Sequence, residues 1–174
     1  MYDEIFNEKK MIKFQELLKK NNHKITTAES CTGGLIASMI TEISGSSEIF
    51  NGSVVTYCNE IKEQELNVNK NTMINYGVVS CEVVEEMLFG VIKKFNSDFA
   101  IAVSGIAGPN GGTENKPVGT VAIGVLSVSG EKNIQLYHFK GTRKEVQMQA
   151  AKTALNTNFE ILLKKPWHIN LNSL

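Results

Sequence analysis

Lys24-Ile25-Thr26-Thr27-Ala28-Glu29-Ser30-Cys31-Thr32-Gly33-Gly34 decides the fold, because a short apolar and β-branched run passes through two glycines into residues with helical spacing. Leu35, Ile36, Met39, Ile40 and Ile43 recur at intervals of three and four, the mark of an amphipathic helix. A strand is expected over 24–28 and a helix over 32–43, with Ser30 near the N-cap. A hydroxyl and a thiol then stand side by side where a strand meets a helix, and acyl-transfer chemistry presents its nucleophile from such a place.

Working outward, the same signals recur. Apolar periodicity predicts a helix over 8–21, the run Ser53-Val54-Val55-Thr56-Tyr57 suits a buried strand, and a short helix over 59–66 follows it. Ser80 has the character of an N-cap, with Glu82, Glu85 and Glu86 in the first turns and an apolar face built from Val83, Val84, Met87, Leu88, Val91, Ile92 and Phe95. That helix should end near Asn96. The almost unbroken apolar run over 99–104 is of the type found in strands covered on both faces. Strands over 118–127 and 134–139 are joined through Gly130-Glu131-Lys132, short enough for a hairpin. A last helix over 143–163 is stopped by Pro166. Helices recurring between central strands predict an α/β fold, a three-layer α/β/α sandwich with a mixed, mostly parallel central sheet. One domain over 1–174 is expected, without internal repeats.

Composition narrows the function. Hydrophobic residues make up 42% of the 174, enough for a substantial core, and 18 basic residues balance 18 acidic ones. Such a chain has no electrostatic footprint for a phosphate backbone, so nucleic acid is not an expected partner. Residues 1–20 alternate charge with apolar positions and lack the apolar core of a secretory signal, and no window reaches the roughly 18 apolar residues a spanning helix needs. No membrane association is expected. Cys31, Cys58 and Cys81 are odd in number and lack C-x-x-C spacing, which suggests neither a disulfide framework nor a metal site. A reducing cytoplasm is the simplest home.

Two further stretches carry chemistry. In Ser104-Gly105-Ile106-Ala107-Gly108-Pro109-Asn110-Gly111-Gly112-Thr113, four glycines interrupt the exit of a buried strand, where open α/β sheets collect ligands. Gly105, Gly108, Gly111 and Gly112 let backbone amides approach a phosphate or carboxylate closely, although a plain glycine-rich connection has the same composition. The G-K-[ST] ending of a P-loop is absent. In Tyr57-Cys58-Asn59-Glu60-Ile61-Lys62, a lysine follows the second central strand and can reach the nucleophile. It serves as a base only if burial or a neighbouring cation strips its proton; a solvated helix-surface lysine is the alternative.

Taken in order, Ala28-Glu29-Ser30-Cys31-Thr32-Gly33-Gly34, Val55-Thr56-Tyr57 with Asn59 and Lys62, Ser104-Gly105-Ile106-Ala107-Gly108-Pro109 and Lys116-Pro117-Val118-Gly119-Thr120 resemble the CinA C-terminal domain family over about residues 10–164. Its enzymatic members are nicotinamide-nucleotide amidohydrolases, and some members carry this domain behind a larger N-terminal one that is not expected here. The resemblance implies hydrolysis of the carboxamide of nicotinamide mononucleotide to nicotinate mononucleotide and ammonia, with no cofactor or metal. Ser30 would attack the carboxamide carbon and Lys62 would take and return its proton. Thr32, Gly33 and Gly34 would offer free amides to the oxyanion, the two glycines would leave room for the ring, and Tyr57 would hold the pair in register. The resemblance also points to Ser104, where threonine is usual, and to Arg143, whose guanidinium suits an anionic or carboxamide group. Thr142 and Gln147 replace the Asp and Arg often found around Arg143, which removes charges from that neighbourhood. An active enzyme with altered affinity is expected.

Three alternatives stand beside this reading. Cys31 is a rival nucleophile, yet His23, His138 and His168 have no motif context that offers it an imidazole. A binding module that has lost turnover would keep the glycine-rich cradle. An amidase for another small amide would use the same residues. The apolar helices suggest a homo-oligomer.

Overall fold

The computed structural model describes residues 3–164. Pro166 and His168 lie outside the described residues. Five strands form one sheet in the order β2-β1-β3-β4-β5, comprising β1 (Ile25–Glu29), β2 (Phe50–Val55), β3 (Phe99–Gly105), β4 (Thr120–Ser127) and β5 (Lys132–His138). β1 is parallel to both β2 and β3, while β4 is antiparallel to β3 and to β5. β1, β2, β3 and β5 therefore run one way and β4 opposes them. The sheet is mixed and mostly parallel, as its pattern of strands and helices indicates.

Strand alternation divides the core in two. Ile25, Ile101 and Val103 face the side covered by α1 (Glu8–Lys20), α2 (Leu35–Thr41) and α6 (Arg143–Lys164). Ala28, Ala100 and Ala102 face the side covered by α3 (Asn59–Leu66), α4 (Lys70–Tyr76) and α5 (Cys81–Phe95). The small residues on the second face let α5 lie close against the central strands. Ser80 caps α5 by accepting from the Val83 amide at 3.3 Å, a bond of the kind that contributes about 1 kcal/mol.

Two of the boundaries that differ from those read in the sequence bear on the site. The helix expected from residue 32 begins at Leu35, because residues 31–34 form a turn in which Gly33 and Gly34 have φ of 63° and 97°. Ser30 consequently sits at the strand exit and is not the N-cap, which is Gly34. β2 ends at Val55, so Tyr57 lies beyond the strand and is 59% exposed. No helix among the described residues is long and apolar enough to cross a membrane.

Candidate active site

The carboxyl ends of β1, β2 and β3 converge on one edge of the sheet, and the residues of interest follow each of them. The Ser30 amide donates to Val103 O of the neighbouring strand at 3.0 Å, which fixes the start of the turn. Just beyond β2, Thr56 donates its amide to Glu29 O at 2.7 Å, and α3 then carries Lys62 back beneath the chain. The Lys62 ammonium lies 2.9 Å from Thr56 O and 3.3 Å from Ser30 Oγ. Lys62 is only 2% exposed. Burial lowers its pKa from the ordinary lysine value, against a smaller opposing pull from Cys58, Cys31 and Glu60. A buried lysine with no carboxylate ion pair among the described residues, held against a serine hydroxyl, is equipped to exchange a proton with it.

A cleft of about 240 Å³ opens beside Ser30, lined by Ser30, Cys31, Tyr57, Gly105, Ile106, Ala107, Gly108, Asn110, Gly111 and Arg143, while the buried Lys62 touches Ser30 without lining it. Arg143, the first residue of α6, donates to Gly108 O at 2.8 Å and to the Tyr57 hydroxyl. It thus ties the glycine-rich loop to the loop after β2 across the mouth of the cleft. A cation at a helix start opposes the helix dipole, and Glu145 in the same turn compensates while accepting from the Thr142 amide and hydroxyl at 2.7 and 2.8 Å. A larger cavity of about 810 Å³ lies among residues of the N-terminal segment, α2 and α6, including Phe6, Met39 and Lys152, and holds none of the candidate residues. Size favours that cavity, but the candidate residues line the smaller one.

Several candidates are not brought to the cleft. Ser104 is 2% exposed and donates to Val78 O at 2.7 Å, on the opposite side of β3 from its neighbour Val103. Gly112, Thr32, Gly33 and Gly34 do not line the cleft. Gly33 and Gly34 both have positive φ, and their amides are already engaged. Gly33 donates to Ser30 O at 3.1 Å and Gly34 to the Glu29 carboxylate at 3.0 Å. The free donors expected at the helix start are therefore absent at those two residues. Thr32 Oγ1 is buried with no hydrogen-bond partner among the described residues.

The rival nucleophile is disarmed by its surroundings. Cys31 is 5% exposed, and burial pushes its thiol up to about 12. His23 sits at the opposite end of β1, within 3.7 Å of Asp98. His138 ends β5, three strands from β1, which at ordinary strand spacing is roughly 14 Å away. Neither supplies an imidazole to Cys31.

Three residues near the cleft have contacts that the sequence reading does not assign, Asn110 and Glu29 standing there only within quoted motifs and Gln147 only as a replacement for an arginine. Asn110 lines it, and only its place among the glycines signalled that. Gln147 donates to Cys31 O at 2.7 Å from α6, a contact made across 116 positions. Glu29 is fully buried beside Ser30 and accepts backbone amides of the turn and of α2.

Residues 7–162 match the CinA C-terminal domain family. A CinA-like protein of Fervidobacterium nodosum is 50% identical over 81% of this chain and 34% of its own length, and one of Syntrophomonas wolfei is 50% identical over 80% and 33%. The chain spans about a third of the length of those relatives. The Escherichia coli protein named nicotinamide-nucleotide amidohydrolase PncC is 44% identical over 86% of this chain and 90% of its own. Among solved structures, the competence/damage inducible protein CihA of Agrobacterium tumefaciens superposes with a TM-score of 0.86 at 34% identity, over 90% of this chain and 95% of that one.

Proposed function

The chain belongs to the CinA C-terminal domain family, and from that premise we propose that it hydrolyses the carboxamide of nicotinamide mononucleotide, releasing ammonia and nicotinate mononucleotide. The observation that carries this reading is the 3.3 Å contact between Ser30 Oγ and the buried Lys62 ammonium. The named amidohydrolase relative, matched over most of both chains, supports the choice of substrate.

In the proposed sequence the neutral Lys62 amine accepts the Ser30 hydroxyl proton as Oγ bonds to the carboxamide carbon. Collapse of the tetrahedral adduct breaks the C–N bond, and the same proton leaves with the amide nitrogen as ammonia. Water then adds to the acyl ester, gives a proton to Lys62, and the C–O bond breaks with that proton returned to Ser30. With the Gly33 and Gly34 amides engaged, the oxyanion donors are drawn from the cleft-lining loop, at Ala107 and Gly108. Arg143 receives the anionic end of the substrate, exchanging its bond to Tyr57 for one to phosphate. Ser104, buried against Val78 O, supports the loop from behind.

Ammonia release from nicotinamide mononucleotide tests this. Wild-type protein should release it and Ser30→Ala should not; unchanged release by Ser30→Ala would sink the serine mechanism. The cleft volume favours a second reading, since about 240 Å³ lies below the roughly 300–1,000 Å³ of most small-molecule sites. An amidase for a smaller amide would hydrolyse nicotinamide riboside as well as the nucleotide.

A further inference from the structure

The residue before the nucleophile is a glutamate buried to 0% exposure, and no lysine or arginine among the described residues forms an ion pair with it. Strand alternation sends Glu29 and Ser30 to opposite faces of the sheet: Ser30 toward Lys62, Glu29 toward α2. There the carboxylate is saturated by neutral donors. Oε2 accepts from the amides of Gly34 at 3.0 Å and Ile36 at 3.1 Å; Oε1 accepts from the amide of Ala37 at 2.8 Å and from the Thr27 hydroxyl at 3.3 Å.

These are the orphan amides that any helix start presents, and α2 has no side chain at its own N-cap to take them, because that residue is Gly34. Leu35 donates to Thr32 O, and the regular ladder starts only at Ser38, which donates to Gly34 O. Glu29 therefore caps α2 from outside the helix, across the turn that contains the nucleophile. Its main chain is tied on the other side, with Glu29 O accepting from Thr56 and Thr56 O accepting from Lys62. One residue thus closes residues 30–34 into a fixed loop and is two hydrogen bonds from the amine that Ser30 faces.

We propose that Glu29 is a positioning residue for the nucleophile: its carboxylate locks the 30–34 turn so that Ser30 Oγ stays within proton-transfer reach of Lys62. The inference rests on the serine–lysine reading above. It differs from a simple stabilising role in what it moves. The loop geometry governs how often Ser30 and Lys62 meet correctly, whereas the cleft walls that hold the substrate belong mostly to the β3–β4 loop and Arg143.

Glu29→Gln is nearly isosteric and replaces one acceptor oxygen by a donor that faces amide N–H groups. Ammonia release should show kcat lowered on the order of 100-fold, the cost of a misplacement of about 1 Å, with KM within about threefold of wild type. The acid limb of the kcat/KM pH profile should stay where it is, because Lys62 lies on the other side of the strand. A loss of folded protein alone would scale with the unfolded fraction seen in a thermal melt and vanish on cooling. Should Glu29→Gln not fold, Ala37→Pro removes one of the three amides at a position with no intrahelical partner, and should lower kcat about tenfold at unchanged KM. A folded variant with wild-type kcat, or a pH limb that shifts, overturns the inference. Wild-type protein without ammonia release, or an active Ser30→Ala, overturns the serine–lysine reading beneath it, a distinguishable result.

Discussion

Replacing Lys62 by methionine separates the catalytic and structural consequences of burying an amine. Methionine keeps much of the length and volume but removes the charge, the bond to Thr56 O and the base for Ser30. Loss of a general base costs roughly 10²–10⁴ in rate, and at 1.36 kcal/mol per decade this is about 2.7–5.4 kcal/mol in the barrier. Stability responds differently. Losing the Thr56 bond costs about 1 kcal/mol, while removing an amine whose charged form is desolvated gives some back. Burial lowers the folded pKa of Lys62 below its unfolded value, so between the two the unfolded chain binds more protons and wild-type stability rises with pH. Lys62→Met lacks that term. Its stability relative to wild type should therefore be greatest at low pH and decline as pH rises toward the ordinary lysine value of 10.5. Urea denaturation of both proteins from pH 6 to pH 10, with ammonia release measured on the same samples, reads both effects. A stability difference that is flat across this range refutes the lowered pKa, and activity within tenfold of wild type refutes the base.

Two other substitutions probe the walls of the site. Arg143→Lys exchanges a planar fork that reaches Gly108 O and Tyr57 for a single ammonium; loss of one charged hydrogen bond, about 1.5–3 kcal/mol, should lower kcat/KM roughly 10- to 150-fold in ammonia-release kinetics, and an unchanged value would remove Arg143 from substrate binding. Cys31→Ala should leave ammonia release within about threefold, because a thiol pushed up to about 12 holds negligible thiolate near neutrality; a loss equal to that of Ser30→Ala would restore Cys31 as nucleophile.

The sheet was legible because it rests on local patterns, whereas the serine–lysine pairing, made across 32 positions, followed from the resemblance to the family. The apolar run before Gly105 and the spacing in α5 announce buried strand and helix without knowledge of their neighbours. The start of β2 was not legible, since Gly52 looks like a loop residue. The strand runs through it because the Phe95 ring stands 2.5 Å from where a Cβ would be, a contact made 43 positions away. Helix α4 escaped for the same kind of reason. Its seven residues bury only Met73, and it is held by Glu86 of α5, which takes the Asn69 amide at 2.6 Å and the Thr72 hydroxyl at 2.7 Å. The engagement of the Gly34 amide by Glu29 was also invisible: a glutamate before a serine reads as a strand end, and only the packed α2 shows where its carboxylate goes.

The two adjacent nucleophiles of the opening sequence are told apart by one physical effect acting on different groups. Desolvation disfavours whichever form is charged. Applied to Lys62, it favours the neutral amine, the form the proposed base requires; applied to Cys31, it favours the neutral thiol, the form a cysteine nucleophile must lose. A serine hydroxyl has no charged form to lose near neutrality, so burial to 8% exposure leaves Ser30 unimpaired and dependent only on its neighbour. The same low-dielectric floor would therefore defeat a cysteine enzyme and serve a serine–lysine one, provided the amine touches the hydroxyl. In this chain the contact exists for Ser30 at 3.3 Å, while Cys31 belongs to the core cluster on the α2 and α6 side, with its carbonyl held by Gln147.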